Sequence, residues 1–386
     1  MNWISESDTI IFSPKFNEKL DINLIVGFSK LIFSNYELNK NLFEYYANNN
    51  FNGLRCGENK FNQDVSSLPH GITHLTFGYC FNQDVSSLPH GITHLIFGDN
   101  FNQDVLSLPY SLTHLTFDYC FNQDVSSLPN GLTHLTFGWK FNQDVISLPP
   151  FLTHLTFGFH FNKDVISLPP FLTHLTFSYD FNQKVFVLPI SLTHLTFGHE
   201  FNKDIANLPQ EITHLTFGHC FNQDISKLPL SLIYLELGDK FNQNISKLPL
   251  NLNHLIIMSR TFNKQFDISS NIKYLKLNFN NRHIIDNLPN SIIELELGPF
   301  FNLEINNLPT SIKKLIISKN SPYNMDLNCL PNFIEELRLN CSYKKRILDF
   351  PTNLKKIIYY INYPYKNDFA NYDVETYTEY SCRTYY

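Results

Sequence analysis

Histidine is the residue of this chain that most invites a chemical reading. It recurs every twenty residues at His74, His94, His114, His134, His154, His174, His194 and His214, and after Tyr234 it returns at His254. Imidazoles ligate metals, carry protons and titrate near neutral pH. Carboxylates recur with the same period at Asp64, Asp84, Asp104, Asp124, Asp144 and Asp164, then at Asp204 and Asp224 after Lys184 breaks the series. Cys80, Cys120 and Cys220 share a third position. Such residues could hold zinc or calcium, or act as acids and bases. Their regularity argues otherwise. An active site needs unlike residues converging in a pocket, whereas a lattice of identical units keeps each type in its own column. No Gly-rich phosphate loop, Gly-x-Ser-x-Gly or His-Glu-x-x-His occurs. The expectation is a protein without catalytic residues, cofactor or metal.

Each column has a bland explanation. Parallel imidazoles do not converge on a tetrahedral point, and no carboxylate or thiol sits beside them in the strand. Duplication of one surface residue accounts for them; a contact strip for a partner is the functional alternative. In either case adjacent imidazolium ions about 5 Å apart repel by roughly 0.8 kcal/mol in water. The column should therefore titrate broadly and below the value of free His. The Asp residues offer one carboxylate per unit and no Asp-x-Asp spacing, so they read as turn residues bonded to nearby N–H groups. The seven cysteines include no Cys-x-x-Cys pair. Those in the shared position lie two or more units apart, roughly 10 Å or more, beyond disulfide reach. They read as reduced thiols of an intracellular, cytoplasmic protein. Thr73 and Thr76 suggest an ice-binding surface, but His74 lies between them and shares the face of Thr76.

The element that positions these residues is FNQDVSSLPHGITHLTFGYC, residues 61–80, repeated nearly letter for letter in 81–100. Ile72-x-x-Leu75-x-Phe77 has the alternation of a short strand, with Leu75 and Phe77 inward and His74 and Thr76 outward. Gly78 predicts a turn with positive φ, which Asp118 and Asn278 would also tolerate. Phe81, Val85 and Leu88 return the chain along a core. Pro89 marks a bend outside the sheet. One unit cannot bury its apolar residues, but stacked units bury them against each other. Identical residues then form columns. The ten asparagines from Asn62 to Asn242 should be inward or half-buried, with amides satisfying backbone groups at the corner.

The chain of 386 residues divides around this repeat. Residues 1–15 read as an N-terminal cap and 16–60 as worn repeats. The latter include a strand near Leu54 and a helical turn or two within 40–49. Ten 20-residue units fill 61–260. Degenerate copies follow in 261–360, and 361–386 form a Tyr-rich cap or tail. About fifteen coils, some 70–75 Å of solenoid at ~4.8 Å per coil, are expected. Hydrophobic residues are 43% and charged residues 17%, with 36 Phe, so the chain carries enough apolar material for a core. A net charge of −6 argues against nucleic acid as partner. No apolar run approaches the ~18 residues of a spanning helix, so no membrane partner is expected. Late basic residues (Lys313, Lys314, Lys344, Lys345, Arg346, Lys355, Lys356) read as a solvated end that discourages edge-to-edge stacking.

Phe-Asn at the corner, followed by Leu-Pro-x-x-Leu/Ile-x-x-Leu-x-Phe-Gly, resembles the FNIP repeat, a family similar to leucine-rich repeats and found in amoebae and large viruses that infect them. The likeness is strong over 61–320 and weak over 16–60 and 321–360. Gln-Asp-Val, as in Gln83-Asp84-Val85, replaces the family's Ile-Pro, and the period is twenty instead of about twenty-two. The resemblance implies a leucine-rich-repeat-like repeat solenoid with short parallel β-strands on one face, turns and loops elsewhere, and little helix. It also implies residence in host cytoplasm should the protein be viral. Some members carry an F-box and serve ubiquitin ligases in substrate recognition; residues 1–60 show no such segment.

The expected function is non-enzymatic protein–protein interaction through the exposed sheet face. The candidate contacts are the His column together with Tyr234, Glu236, Lys273, Tyr274, Lys276, Glu294 and Glu296, where worn units vary on a fixed frame. A scaffold without a specific site is the alternative, as is a part in substrate recognition. The partner is expected to be another protein, with no cofactor.

Overall fold

The structure, a computed structural model, describes residues 2–36, 58–245, 247–371 and 375–379. Two compact units divide the chain, residues 1–198 and 199–386. Each is a stack of coils contributing one short strand to a parallel sheet.

Unit 1 opens with β1 (Trp3–Glu6), which pairs antiparallel with β2 (Thr9–Phe12) through a turn where Ser7 takes φ 50. A single helical turn, α1 (Ile22–Ile25), precedes β3 (Lys30–Phe33). Seven rungs follow: β4 (His74–Thr76), β5 (His94–Ile96), β6 (His114–Thr116), β7 (His134–Thr136), β8 (His154–Thr156), β9 (His174–Thr176) and β10 (His194–Thr196). From β2 to β10 each strand pairs in parallel with the next, and every repeat residue faces its counterpart, as His74 faces His94 and Leu75 faces Leu95. Lys30 of β3 faces His74 directly. The strand expected near Leu54 and the turn expected in 40–49 lie outside the described residues.

Unit 2 continues the pattern with β11 (His214–Thr216), β12 (Tyr234–Leu237), β13 (His254–Ile257), β14 (Tyr274–Leu277), β15 (Glu294–Leu297), β16 (Lys314–Ile317), β17 (Glu336–Arg338), β18 (Lys356–Tyr360) and β19 (Glu375–Glu379), all parallel. A second helical turn, α2 (Arg282–Asp286), replaces one corner. The parallel rungs exceed the fifteen expected. Thr9–Phe12, within the segment read as a cap, and Glu375–Glu379, within the Tyr-rich tail, both pair as rungs.

The core is a zipper of phenylalanines. Phe77 lies 3.6 Å from Phe81 between ring centroids, and Phe97 lies 3.7 Å from Phe101. Each column also stacks on itself, Phe81 over Phe61 at 6.1 Å and Phe77 over Phe97 at 5.7 Å. Fully burying one such side chain contributes about 1.5–3 kcal/mol. In unit 2 aliphatic Leu237, Ile257 and Leu277 take the Phe77 position, all buried. The one-residue slip before Phe262 is absorbed locally, since Phe262 still stacks on Phe241 at 6.1 Å.

Outside the sheet, side chains carry the coil-to-coil bonds. The Asn62 Oδ1 accepts the backbone N–H of Asn82 at 2.9 Å, and the same bond recurs up both units. The asparagines thus satisfy corner backbone as expected, although Asn62, Asn102 and Asn162 are exposed and not inward. Asp84 accepts the N–H and hydroxyl of Ser86 at 3.0 and 2.7 Å, a closed local turn.

The expectation for Gly78 needs correction. Among the described residues positive φ occurs only at Ser7 and Gly27, so neither Gly78 nor Asp118 nor Asn278 is left-handed. The reason for glycine is crowding between coils. A Cβ on Gly138 would stand 2.0 Å from the Asp118 carbonyl oxygen, whereas one on Gly71 would meet nothing within 4 Å. Gly138→Ala should therefore lower the melting temperature, at a cost of roughly 1–3 kcal/mol. Gly71→Ala should raise it, gaining about 0.4–1 kcal/mol from the unfolded chain. Thermal melts of the two variants beside the parent check the order; equal midpoints would refute the crowding argument.

Candidate interaction surface

The outward face of unit 1 is a ladder of imidazoles. Successive rings from His74 to His194 stack at 4.2 Å with planes 10–12° apart. The residue before each His fixes the ring. Thr93 Oγ1 lies 3.2 Å from the Thr73 carbonyl oxygen and 2.9 Å from His94 Nδ1. A hydroxyl has one proton, so when Thr93 donates to the carbonyl, His94 Nδ1–H must donate to Thr93. The same geometry repeats at Thr113–His114, Thr133–His134 and Thr153–His154. Nδ1 carries the proton and Nε2 faces solvent in the neutral ring.

These rings resist protonation. The pKa values of His94, His114, His134 and His154 lie below the ordinary 6.5, first because burial penalises the charged form and then because neighbouring imidazolium ions repel it. The direction matches the sequence expectation. The order of causes does not, because stacking removes water from both faces of each ring.

The outward face of unit 2 changes at every rung. His214 gives way to Tyr234, His254, Tyr274, Glu294 and Lys314 at the same register position. The substituted side chains bind one another. Tyr234 Oη–H donates to Glu236 and Tyr274 Oη–H donates to Glu296, each at 2.8 Å. Lys276 meets Glu296 at 2.8 Å and Lys314 meets Glu294 at 3.1 Å. Burial and the adjacent Glu236 push the Tyr234 phenol well up. His254 and Lys273 are exposed, the latter one residue before β14. The late basic residues are likewise engaged: Lys313 and Lys355 with Glu335, Lys356 with Glu336, and Arg346 with Asp368.

A second surface escaped the sequence reading. Two residues after each strand form a turn ridge whose backbone is bonded coil to coil, as Lys140 N–H to the Tyr119 carbonyl at 2.9 Å and Cys220 N–H to the His199 carbonyl at 2.8 Å. In unit 1 the ridge carries a stack of Tyr119, Trp139, Phe159 and Tyr179 with centroids 5.6, 3.9 and 4.3 Å apart. Trp139 Nε1–H donates to His160 Nε2 at 3.0 Å, and His160 Nδ1 lies 2.6 Å from Asp180. In unit 2 the ridge brings His199, Glu200 and Cys220 together. The expectation that the lattice gathers no unlike chemical groups therefore fails here. The signal was legible: these two positions differ in every copy from Tyr79-Cys80 to Asp239-Lys240, save for the recurrent Tyr-Cys, while the frame around them stays constant.

Comparison with known proteins follows this geometry. The FNIP Repeat model matches residues 61–100, 81–120, 101–140, 121–160, 141–180, 161–199, 181–220, 201–240, 262–300 and 279–320, more than half of the chain. The chain belongs to the FNIP repeat family. Among solved structures, this FNIP repeat protein is similar to CroV588, a circular LRR protein of a giant virus, at 33% identity and a TM-score of 0.71. The match covers 94% of this chain and 58% of CroV588, so the chain spans little more than half the length of that relative. YopM from Yersinia enterocolitica aligns at 18% identity and a TM-score of 0.42, covering 76% of this chain and 79% of YopM. InlJ from Listeria monocytogenes aligns at 15% and 0.43, covering 74% of each chain. A search of curated protein sequences finds no match. No helix of the described residues is long and apolar enough to cross a membrane.

The His ladder makes unit 1 acid-sensitive. Between the ordinary value of 6.5 and the lower folded values, the unfolded chain binds more protons than the folded one. Stability is fully present above that window and is lost as pH falls through it. Melting temperatures recorded from about pH 7.5 to about pH 5 should fall, and His134→Gln should flatten the slope. Sharp, independent imidazole titrations near 6.5 by NMR would contradict the ladder.

Proposed function

We propose that this FNIP repeat protein is a non-enzymatic interaction module that engages another protein through the outward sheet face, with partner choice carried by unit 2. Solenoids of the leucine-rich-repeat type are commonly used for protein–protein interaction. The observation that carries the reading is the contrast between the two faces. Unit 1 repeats His and Thr, which gives a partner no register to read. Unit 2 presents a different pair of outward side chains at each rung on a backbone of constant geometry. Its phenols and carboxylates are already held by bonds within the chain, so little side-chain freedom remains to be lost on binding.

A scaffold role for unit 1 fits the same contrast. Its uniform rungs set a length and a spacing without defining a specific site.

The binding test needs side chains that are exposed and not tied to a partner in an ion pair described above. Reversing Glu236, Lys276 or Glu296 would break intramolecular bonds as well as any interface. His254→Glu with Lys273→Glu avoids this. Tagged parent, this double variant and Thr116→Glu on the unit 1 face are used to capture proteins from amoebal lysate. The parent and Thr116→Glu should retain the same proteins, and the double variant should lose them by about tenfold or more, the scale of one interface hot spot. Identical capture by all three, or none by the parent, would defeat the reading.

A further inference from the structure

We propose that His199, Glu200 and Cys220 form a binding site for a divalent transition metal, with zinc the ion that fits best. The inference is independent of the sheet-face reading, because the three residues lie on the turn ridge of unit 2.

The donor set is the first argument. One imidazole nitrogen, one carboxylate oxygen and one thiol sulfur lie within 4.8 Å of one another. A thiolate disfavours magnesium and calcium, which take oxygen ligands. Zinc accepts sulfur, nitrogen and oxygen together, and three protein ligands leave a fourth position for water. Copper(II) would compete on intrinsic affinity.

The second argument is geometry. Glu200 already joins the other two ligands: Oε1 lies 2.7 Å from His199 Nδ1, and Oε2 accepts from Cys220 Sγ at 3.6 Å. An ion about 2.0–2.3 Å from each atom would replace those two contacts without a large movement of backbone. The backbone is held in place, since the Cys220 N–H bonds the His199 carbonyl at 2.8 Å. His199 is oriented by stacking on His219 at 4.5 Å with planes 5° apart. His219 is steadied in turn by Asp239 at 3.3 Å, which Arg260 grips through two bonds of 2.7 Å. The metal would tie two successive coils.

Two features work against the ion. Burial first, and then the Glu200 charge, raise the Cys220 thiol pKa, so binding must expel a proton. Lys240 Nζ lies 3.8 Å from the sulfur. Lys240 is exposed, and its flexible stem lets the ammonium swing away. The chain also contains an internal comparison. Cys80 and Cys120 occupy the same repeat position, but Asn59-Lys60 and Asp99-Asn100 precede them where His199-Glu200 precedes Cys220.

The test uses the full chain, freed of metal by chelator and kept reduced. Zinc is titrated against a chromophoric competitor, and cobalt(II) is added in parallel to report a thiolate–metal charge-transfer band. The parent should bind a single tight equivalent and show the band. Cys220→Ser should abolish the band and weaken zinc by more than the roughly 10- to 100-fold typical of losing an outer-shell partner. His199→Gln should weaken zinc in the same way, and a Cys80→Ser, Cys120→Ser variant should keep both signals. Circular dichroism confirms that each variant is folded. Absence of a tight equivalent in the parent overturns the proposal, as does zinc binding that survives in Cys220→Ser. So does a cobalt band lost with Cys80 and Cys120, whether or not the Cys220 variant folds.

Discussion

Everything in this protein depends on stacking in register. A parallel ladder with a twenty-residue period sets each residue on its own copy one rung away. Rungs are about 4.8 Å apart, so whatever a position carries is presented to itself at contact distance. Phenylalanine benefits, because flat rings stack and exclude water. Asparagine benefits, because its side-chain oxygen reaches the N–H of the next asparagine at 2.9 Å. Histidine is tolerated because it can be neutral. Each unit repeats the solution that one rung allows.

The same constraint sorts positions into those that must stay constant and those that can change. Gly138 lies where a Cβ would collide with the coil beneath, so backbone proximity holds the residue. Thr93 bonds both a carbonyl of the preceding coil and its neighbouring imidazole, so a residue that looks decorative on the strand is structural. The turn ridge differs. Its coil-to-coil bonds run between main-chain atoms, and the side chains of Trp139 or Glu200 are not needed for them. Variation gathers there even among otherwise near-identical copies.

Much of the architecture was legible in the sequence because a repeat amplifies weak signals. Leu75 inward and His74 outward is an ordinary guess for one strand, but over ten copies it becomes a pattern. The Phe zipper, the parallel rungs and the closed Asp84 turn followed from the same reasoning. What was missed has two physical sources. Gly78 was assigned to a conformational need, since sequence shows a missing Cβ but not the neighbouring coil that demands it. Thr9–Phe12 and Glu375–Glu379 were taken for caps or tail, since each occurs once and the repeat lends it no support. The ridge was overlooked for the opposite reason: attention went to the residues that recur, and the informative positions were those that did not.

Register also governs how the unit 2 face could drift. A column of like charges in a parallel sheet would place identical ions side by side, which is unfavourable. Replacing histidine by charged residues therefore requires alternation. The column beginning at His214 becomes Glu294, Lys314, Glu336 and Lys356, alternating sign at every rung, with contacts of 3.1 Å for Lys314–Glu294 and 3.6 Å for Lys356–Glu336. Such half-exposed pairs add little to stability, about 0.2–1 kcal/mol each. Their presence is thus explained by the avoidance of repulsion more than by stabilisation. The alternation is internal to the fold and is not by itself the imprint of a partner. Specificity must come from where the sequence interrupts it, at Tyr234, His254 and Tyr274, where neutral aromatic groups stand in for a charge on the same column.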